Sequence, residues 1–328
     1  MPRGARVRFI LWLAGGAVAA PAPGARLTAQ GLPPYASMNP MVFSRSGLAT
    51  QPYVMPGRRW RVTALLDYAS PIEYASNPRI FYLVDAELLR MQLTATREVR
   101  KNAFVLVEGS FDGAYDGFLD GFLQWYHDLV GLQVAARRLR PKNRYAYELD
   151  QAGGPAASYR KSDGYLGDIR LGGGVRHSSH RQTVVSITLP TSTGPDGFKR
   201  GVLTANATTT LRADFGGGKR FTWEGTLGAG YAKAHGALAD FQHSTFLMVT
   251  QGLRARVVGP MHLYANLVYH SALYHDTGTS ELDARELTLD TGGFFKFKRG
   301  PEWILGLTED LAPSGPAIDV AFRLGARW

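Results

Sequence analysis

The sequence predicts an all-β chain: a transmembrane antiparallel up-and-down β-barrel of about twelve strands, with one amphipathic helix in a long loop. Three observations carry this. Apolar and polar residues alternate along most of the chain. The connections fall into two length classes that follow strand parity. Beyond the N-terminus no apolar run is long enough for a membrane helix.

The N-terminus reads as an export signal. Arg3, Arg6 and Arg8 precede a short apolar core, Phe9 to Ala20. That core is shorter than the ~20 residues a spanning helix needs. Cleavage is expected after Ala29, with Ala19 as the second choice. Residues 1–29 are therefore a signal peptide. They carry four arginines and no acid, so the formal net charge falls from +10 to +6 (10 − 4) on their removal. No cysteine is present, so the chain forms no disulfide and offers no thiolate. Residues 30–56, rich in proline and small residues, read as an irregular N-terminal segment. The barrel is expected over 57–328.

Strands are predicted at 58–69, 80–96, 103–111, 164–177, 182–190, 202–213, 219–234, 243–257, 260–273, 284–297, 302–310 and 316–328. In the first, Trp60, Val62, Ala64, Leu66 and Tyr68 share a face. In the second, Tyr82, Val84, Ala86 and Leu88 oppose Asp85 and Glu87. After even-numbered strands the connections are tight, such as "SSHR" and "GP". After odd-numbered strands they are mostly long, such as "TSTGPDGFKRG". Segregation of short turns and long loops is the mark of an outer-membrane barrel. Phe221, Trp223, Tyr231, Phe295, Phe297, Trp303 and Trp328 fall on outward faces near strand ends, where interface girdles lie. Val320 and Leu287 are expected to face lipid, and Thr204 and Thr208 the lumen.

The last strand, "AIDVAFRLGARW", is the best patterned. It must pair with the first, because an open sheet edge cannot exist in lipid. Its alternation and its aromatics Phe322 and Trp328 resemble the C-terminal signal read by the barrel-assembly machinery.

The insert at 113–163 departs from the two-residue period. "DGFLDGFLQWYHDLVGL" places Phe118, Leu119, Phe122, Leu123, Tyr126, Leu129 and Val130 at helical spacing, opposite Asp116, Asp120, Gln124, His127 and Asp128. A helix here is expected to fold into the mouth or lumen, with Phe118, Phe122 and Tyr126 as a gate. Arg137, Arg138, Arg140, Lys142 and Arg144 follow, and suit the phosphates of lipopolysaccharide.

Several stretches resemble one family of Gram-negative outer-membrane proteins classed only as a domain of unknown function. They are "NPMVF", "VDAELLRMQL", "DGFLDGFLQWYHDLVGL", "RPKNRYAYEL", "GDIRLGGGV" and "VSITLPTSTG", in that order over residues 39–194. The resemblance implies a barrel in the outer membrane. It carries no activity and no functional residues.

Chemistry is sparse. His270 and Ser271 are adjacent, so they face opposite ways and cannot pair as base and nucleophile. His177-x-x-His180 sits in a tight turn without a third ligand. His262, Tyr264, Asn266 and His270 share a lumen face. The inward faces are expected to carry Asp85, Glu87, Asp168, Arg170, Arg212, Glu224, Arg254, Glu286, Asp290 and Arg323 as paired charges or pore lining. No metal, cofactor or nucleic acid is expected. The expected partners are outer-membrane lipid, lipopolysaccharide, the assembly machinery and a small solute. The leading function is a passive channel or transporter in the outer membrane of a Gram-negative bacterium, narrowed by the helical insert. The alternative is a structural or surface-interaction barrel with a plugged lumen, and the third reading is an outer-membrane hydrolase.

Replacing Phe322 and Trp328 together by serine is expected to lower the yield of heat-modifiable, protease-resistant barrel in membranes. An unchanged yield would reject the assembly role.

Overall fold

A computed structural model describes residues 31–57, 60–130, 137, 140–154, 156–217, 220–297, 299–312, 315 and 318–328. The expected signal peptide and Arg138 lie outside the described residues. Among the described residues the first element is a short helix α1 (Pro40–Phe43). Strands β1 (Trp60–Ala69), β2 (Ile72–Ser76), β3 (Ile80–Asp85), β4 (Glu87–Arg100) and β5 (Ala103–Tyr115) follow. Helix α2 (Asp120–Val130) precedes β6 (Ala146–Gln151), β7 (Ala157–Ser158) and β8 (Ser162–Leu166). Then come β9 (Ile169–Ser178), β10 (Arg181–Leu189), β11 (Thr204–Phe215), β12 (Phe221–Ala232), β13 (Thr245–Val258) and β14 (Met261–His270). A short helix α3 (Ser280–Asp283) leads to β15 (Glu286–Lys296), β16 (Glu302–Asp310) and β17 (Val320–Arg327).

Twelve of these strands form one antiparallel wall, in the order β1, β4, β5 and then β9 through β17. It closes on itself: β17 pairs with β1, with Leu324 opposite Leu66 and Phe322 opposite Tyr68. The short connections lie at one end, between β4 and β5, β9 and β10, β11 and β12, β13 and β14, and β15 and β16. At Gly259 the β13–β14 turn needs a positive φ of 50°, which glycine supplies without strain. Among the described residues no helix is long and apolar enough to cross a membrane, and the strands span instead.

The wall has two chemically different faces. Along β14, His262, Tyr264, Asn266, Val268 and His270 are inward and buried, while Leu263 and Leu267 are outward and exposed. Along β11, Thr204, Asn206, Thr208, Thr210 and Arg212 point inward. Apolar side chains left exposed on the outside and polar ones buried inside are what lipid around a closed wall requires.

At the long-loop end this polarity reverses. The predicted strand 80–96 is broken at Ala86, whose N–H bonds to the Pro71 carbonyl. β3 leaves the wall there and joins a separate sheet, β2-β3-β6-β7. β2 lies in a stretch the sequence suggested was a loop. Ile80, Tyr82, Val84, Ala86 and Leu88 face inward, into an apolar cluster with Met41, Val42, Phe43, Tyr147, Leu149, Leu273 and Leu282. Each large side chain in it stabilises the mouth by ~1.5–3 kcal/mol. The four-stranded sheet therefore caps the barrel. Asp85 and Glu87 consequently fall on the outside and not in the lumen. The assumption that apolar means outward fails where the inside is an apolar core.

Helix α2 also departs from expectation. It lies outside the wall, against the loop end of β1, β16 and β17. The Phe122 and Phe322 rings are 6.2 Å apart, and those of Phe118 and Tyr68 are 5.6 Å apart. Tyr126 Oη lies 3.5 Å from the Glu309 carboxylate, on the outward face of β16. A gate of Phe118, Phe122 and Tyr126 inside the lumen is thus excluded, because another segment already fills that space. Val320, opposite Glu309 on β16, is buried instead of meeting lipid.

Leu267→Arg, on the outward face of β14, is expected to destabilise the barrel by about 2–4 kcal/mol if it lies near the bilayer midplane. Reversible urea unfolding from vesicles measures this.

Candidate functional site in the lumen

The space inside the wall is occupied by residues 31–57, folded as a hairpin. Five prolines, Pro33, Pro34, Pro40, Pro52 and Pro56, deprive this segment of backbone donors. It therefore makes little regular structure of its own. Its two arms are joined by Tyr35 N–H to Thr50 Oγ1 at 2.7 Å, by Thr50 N–H to the Tyr35 carbonyl at 2.8 Å, and by a bridge between Ala36 and Ala49. At the tip the chain bonds to itself, as from Phe43 N–H to the Asn39 carbonyl at 2.9 Å, and along the arms backbone groups turn to the wall.

The first arm starts at the short-turn end. Arg327 donates to the carbonyls of Gly31 (3.0 Å) and Leu32 (3.3 Å), and Leu32 N–H donates to Glu224 at 3.0 Å. Higher up, Tyr35 Oη and Ser37 Oγ both donate to Glu286, at 3.1 and 2.9 Å. Arg90 donates to the Ser37 carbonyl. At the tip, Asn39 Oδ1 accepts from Met41 N–H and caps α1, which Pro40 begins. The Asn39 amide donates to Glu73 on β2 at 2.7 Å, tying the tip to the cap. Gly47 turns the chain back with φ +58°; a Cβ there would sit 2.7 Å from Thr204 Oγ1.

The second arm descends to the same end. Arg45 donates to the carbonyls of Ala232, Lys233 and His243. The carbonyls of Gly47, Ala49 and Gln51 accept from Asn206, Arg170 and Gln182 at 3.2, 3.3 and 3.0 Å. Tyr53 Oη donates to the Ser178 carbonyl, and Arg176 donates to that of Val54. Among the described residues, cavities lie beside the hairpin. One of about 60 Å³ is lined by Ser37, Phe43, Arg90, Glu108, Asp112 and Arg170 among others. Another, of about 30 Å³, lies near Gly31, Arg61 and Arg327. Volumes of this size have room for no more than a few water molecules.

Residues 33–328 match the family described as "Protein of unknown function (DUF3187)". The chain belongs to that family. No curated protein matches it. Among solved structures, it is similar to the COG4313 outer membrane channel from Pseudomonas putida F1. The TM-score is 0.53 and the identity 10%, over 85% of this chain and 98% of that one. This is a likeness of fold. It is also matched to the translocator domain of the autotransporter NalP from Neisseria meningitidis, with a TM-score of 0.42 and 10% identity, over 83% of this chain and 88% of that one.

In this family member the inner wall is a set of buried ion pairs. Arg323 bridges Asp67 (2.7 Å) and Asp290 (3.1 Å). Arg254 and Arg327 share Glu302. Arg212 meets Glu224 at 3.3 Å and Asp214 at 2.9 Å. Arg170 pairs with Glu108, Arg90 with Asp112, Arg176 with Glu98, and Arg200 with Asp168. Charges this deeply buried require such partners. Several of these arginines also donate to the hairpin. The geometry makes each a bridge between an acid of the wall and a carbonyl of the plug.

Of the residues the sequence singled out for the lumen, Arg170, Arg212, Glu224, Arg254, Glu286, Asp290 and Arg323 are inward and buried, and Asp168 lines the larger cavity. Asp85 and Glu87 instead hold the insert outside. Glu87 accepts from Phe118 N–H (2.7 Å) and from Leu119 N–H at the start of α2. Asp85 accepts from Arg140 at 3.0 Å. Burial pushes the Asp85 carboxyl above its usual range, and the Arg140 bond opposes that shift. Within the basic run, Arg137 is buried between Asp120 and Asp319, so it is unavailable to lipopolysaccharide, and Arg140 is engaged with Asp85. The reason is local: α2 places Asp120 where the run returns. Lys142 and Arg144 are exposed. Phe322 and Trp328 face outward, and Trp328 N–H bonds to the Val62 carbonyl. Among the described residues no group of three His, Cys, Asp or Glu is placed to hold a metal ion.

Arg327→Leu is expected to loosen the first arm. Losing a charged donor removes ~1.5–3 kcal/mol, so the amides of Leu32 and Thr50 should exchange with deuterium roughly ten- to a hundredfold faster. Unchanged exchange would show that Arg327 does not hold the hairpin.

Proposed function

We propose that the protein is an outer-membrane channel for small polar solutes, held closed by its N-terminal hairpin. The observation that carries this reading is how the hairpin is held. Along both arms its contacts with the wall are mainly hydrogen bonds donated by arginine, glutamine, asparagine and threonine side chains and accepted by carboxylates. Water replaces such partners at small net cost, whereas an apolar core resists it. A wall of twelve strands stripped of the hairpin is a polar passage with charges of both signs, suited to small polar or zwitterionic solutes, and the cap above it loses Met41, Val42 and Phe43 from its apolar core. The fold shared with an outer-membrane channel is consistent with this. In this reading Lys142 and Arg144, exposed at the loop end, meet lipopolysaccharide phosphates.

One feature favours the alternative, a permanently plugged barrel with a structural or surface role. The hairpin tip buries Met41, Val42 and Phe43 in the apolar cluster beneath the cap. Withdrawing them costs ~1.5–3 kcal/mol each.

Planar-bilayer recording separates the two. The intact protein is expected to conduct in rare, brief openings, and a variant lacking residues 31–55 to conduct steadily. A deleted barrel that folds, by heat-modifiable mobility, yet conducts no more than the intact one would reject the channel and leave the plugged barrel.

A further inference from the structure

Helix α2 is amphipathic in the wrong sense for a helix in water. Two of its polar side chains, Asp120 and His127, face the protein, Gln124 is half-buried, and Asp128 lies exposed on the flank of the helix. Asp120 is buried and forms an ion pair with Arg137, and His127 Nε2 lies 3.1 Å from Asp319. Leu123 is the apolar residue on that side, and it is fully buried. The other side presents Phe118, Phe122, Trp125 and Leu129, which are 70%, 46%, 58% and 68% exposed. Within the helix Phe122, Trp125 and Leu129, at i, i+3 and i+7, draw one stripe, and Phe118 lies just before its first turn. Bulky apolar side chains are rarely left so exposed in a row on a surface that meets water.

The stripe is continuous with a surface whose surroundings are set by the fold. Phe122 contacts Phe322, and Phe118 contacts Tyr68, both on the outward face of the closing strand pair. From there the outward belt runs through Leu324 and Leu305 to Trp303 and Trp328. The helix is also pinned: Glu87 accepts from its first N–H groups, and Arg137 ties Asp120 to Asp319 and to the Ser70 carbonyl. Its orientation therefore cannot turn freely to hide the stripe.

We infer that α2 is a membrane-inserted helix, its Phe118–Phe122–Trp125–Leu129 stripe seated among lipid acyl chains at the loop-side edge of the barrel. The occupant is the leaflet lipid that already surrounds the belt. This rests on the transmembrane fold and not on whether the lumen conducts. The insert thereby widens the wall's hydrophobic surface beside the β1–β17 seam.

The absence of native cysteine makes the test direct. Single-cysteine variants F118C, W125C and L129C are spin-labelled in phospholipid vesicles, with L267C as a belt control and K142C as a water control. Labels on the stripe are expected to collide with oxygen as often as the label at 267, and with a water-soluble nickel chelate severalfold less than the label at 142. Nickel collisions equal to those at 142 would place the helix in water and overturn the inference. Protection from both reagents, with dipolar coupling that grows with protein density, would mean that a second copy covers the stripe, and would overturn it as well. A measurement without a label guards against perturbation. The fluorescence lost in Trp125→Phe is the Trp125 signal; it is expected to be quenched by lipids brominated on the acyl chain and spared by aqueous iodide. The reverse pattern would also overturn the inference.

Discussion

Twelve strands enclose more space than their inward side chains fill. Much of the rest of this structure follows from that surplus. An empty lumen lined with arginine and carboxylate would have to be wet, and here it is occupied by chain. The filler is a proline-rich hairpin that cannot satisfy its own backbone. The wall must therefore supply donors, which Arg90, Arg170, Arg176 and Arg327 do. Those cations in turn need acids, which Asp112, Glu108, Glu98 and Glu302 provide. Part of the buried charge of the lumen is thus tied to the plug, while Arg323, set between Asp67 and Asp290, bonds within the wall.

The same filler dictates the two ends. At its tip the hairpin presents Met41, Val42 and Phe43, and the wall answers with an apolar cap built from β2, β3, β6 and β7. With the mouth closed and the lumen full, the helical insert has only the outer surface to pack on. Glu87 and Asp85, which the cap's geometry turns outward, hold it there.

The wall was legible in the sequence because a two-residue period survives wherever one face meets lipid and the other meets polar groups. Closure and the strand count followed from loop parity and from the pattern of 318–328. What stayed hidden did so for definite reasons. In residues 31–57 proline erases periodicity, and the partners that hold the segment are as distant in sequence as Glu286 and Arg327. Asp85 and Glu87 were read on the wrong side because Tyr82 and Val84 are apolar and yet inward. The α2 stripe was visible as a helix, but an apolar stripe has the same spacing whether it meets a core or a bilayer. Arg137 and Arg140 looked like solvated cations because Asp120 and Asp85, their partners, come near only through folding. The proline cluster was the one available hint of a segment that lives on others' hydrogen bonds.

The hairpin leads into β1 with only two residues between Gly57 and Trp60. A plug on so short a leash behaves as a tethered ligand, with an effective local concentration that on general grounds is about millimolar or more. Were it to leave the lumen, it would remain within reach of its seat. Reoccupation is then a first-order event, indifferent to how many copies share the membrane. In the proposed channel, whatever displaced the hairpin would compete with its own return, and the closed state would restore itself without a second molecule.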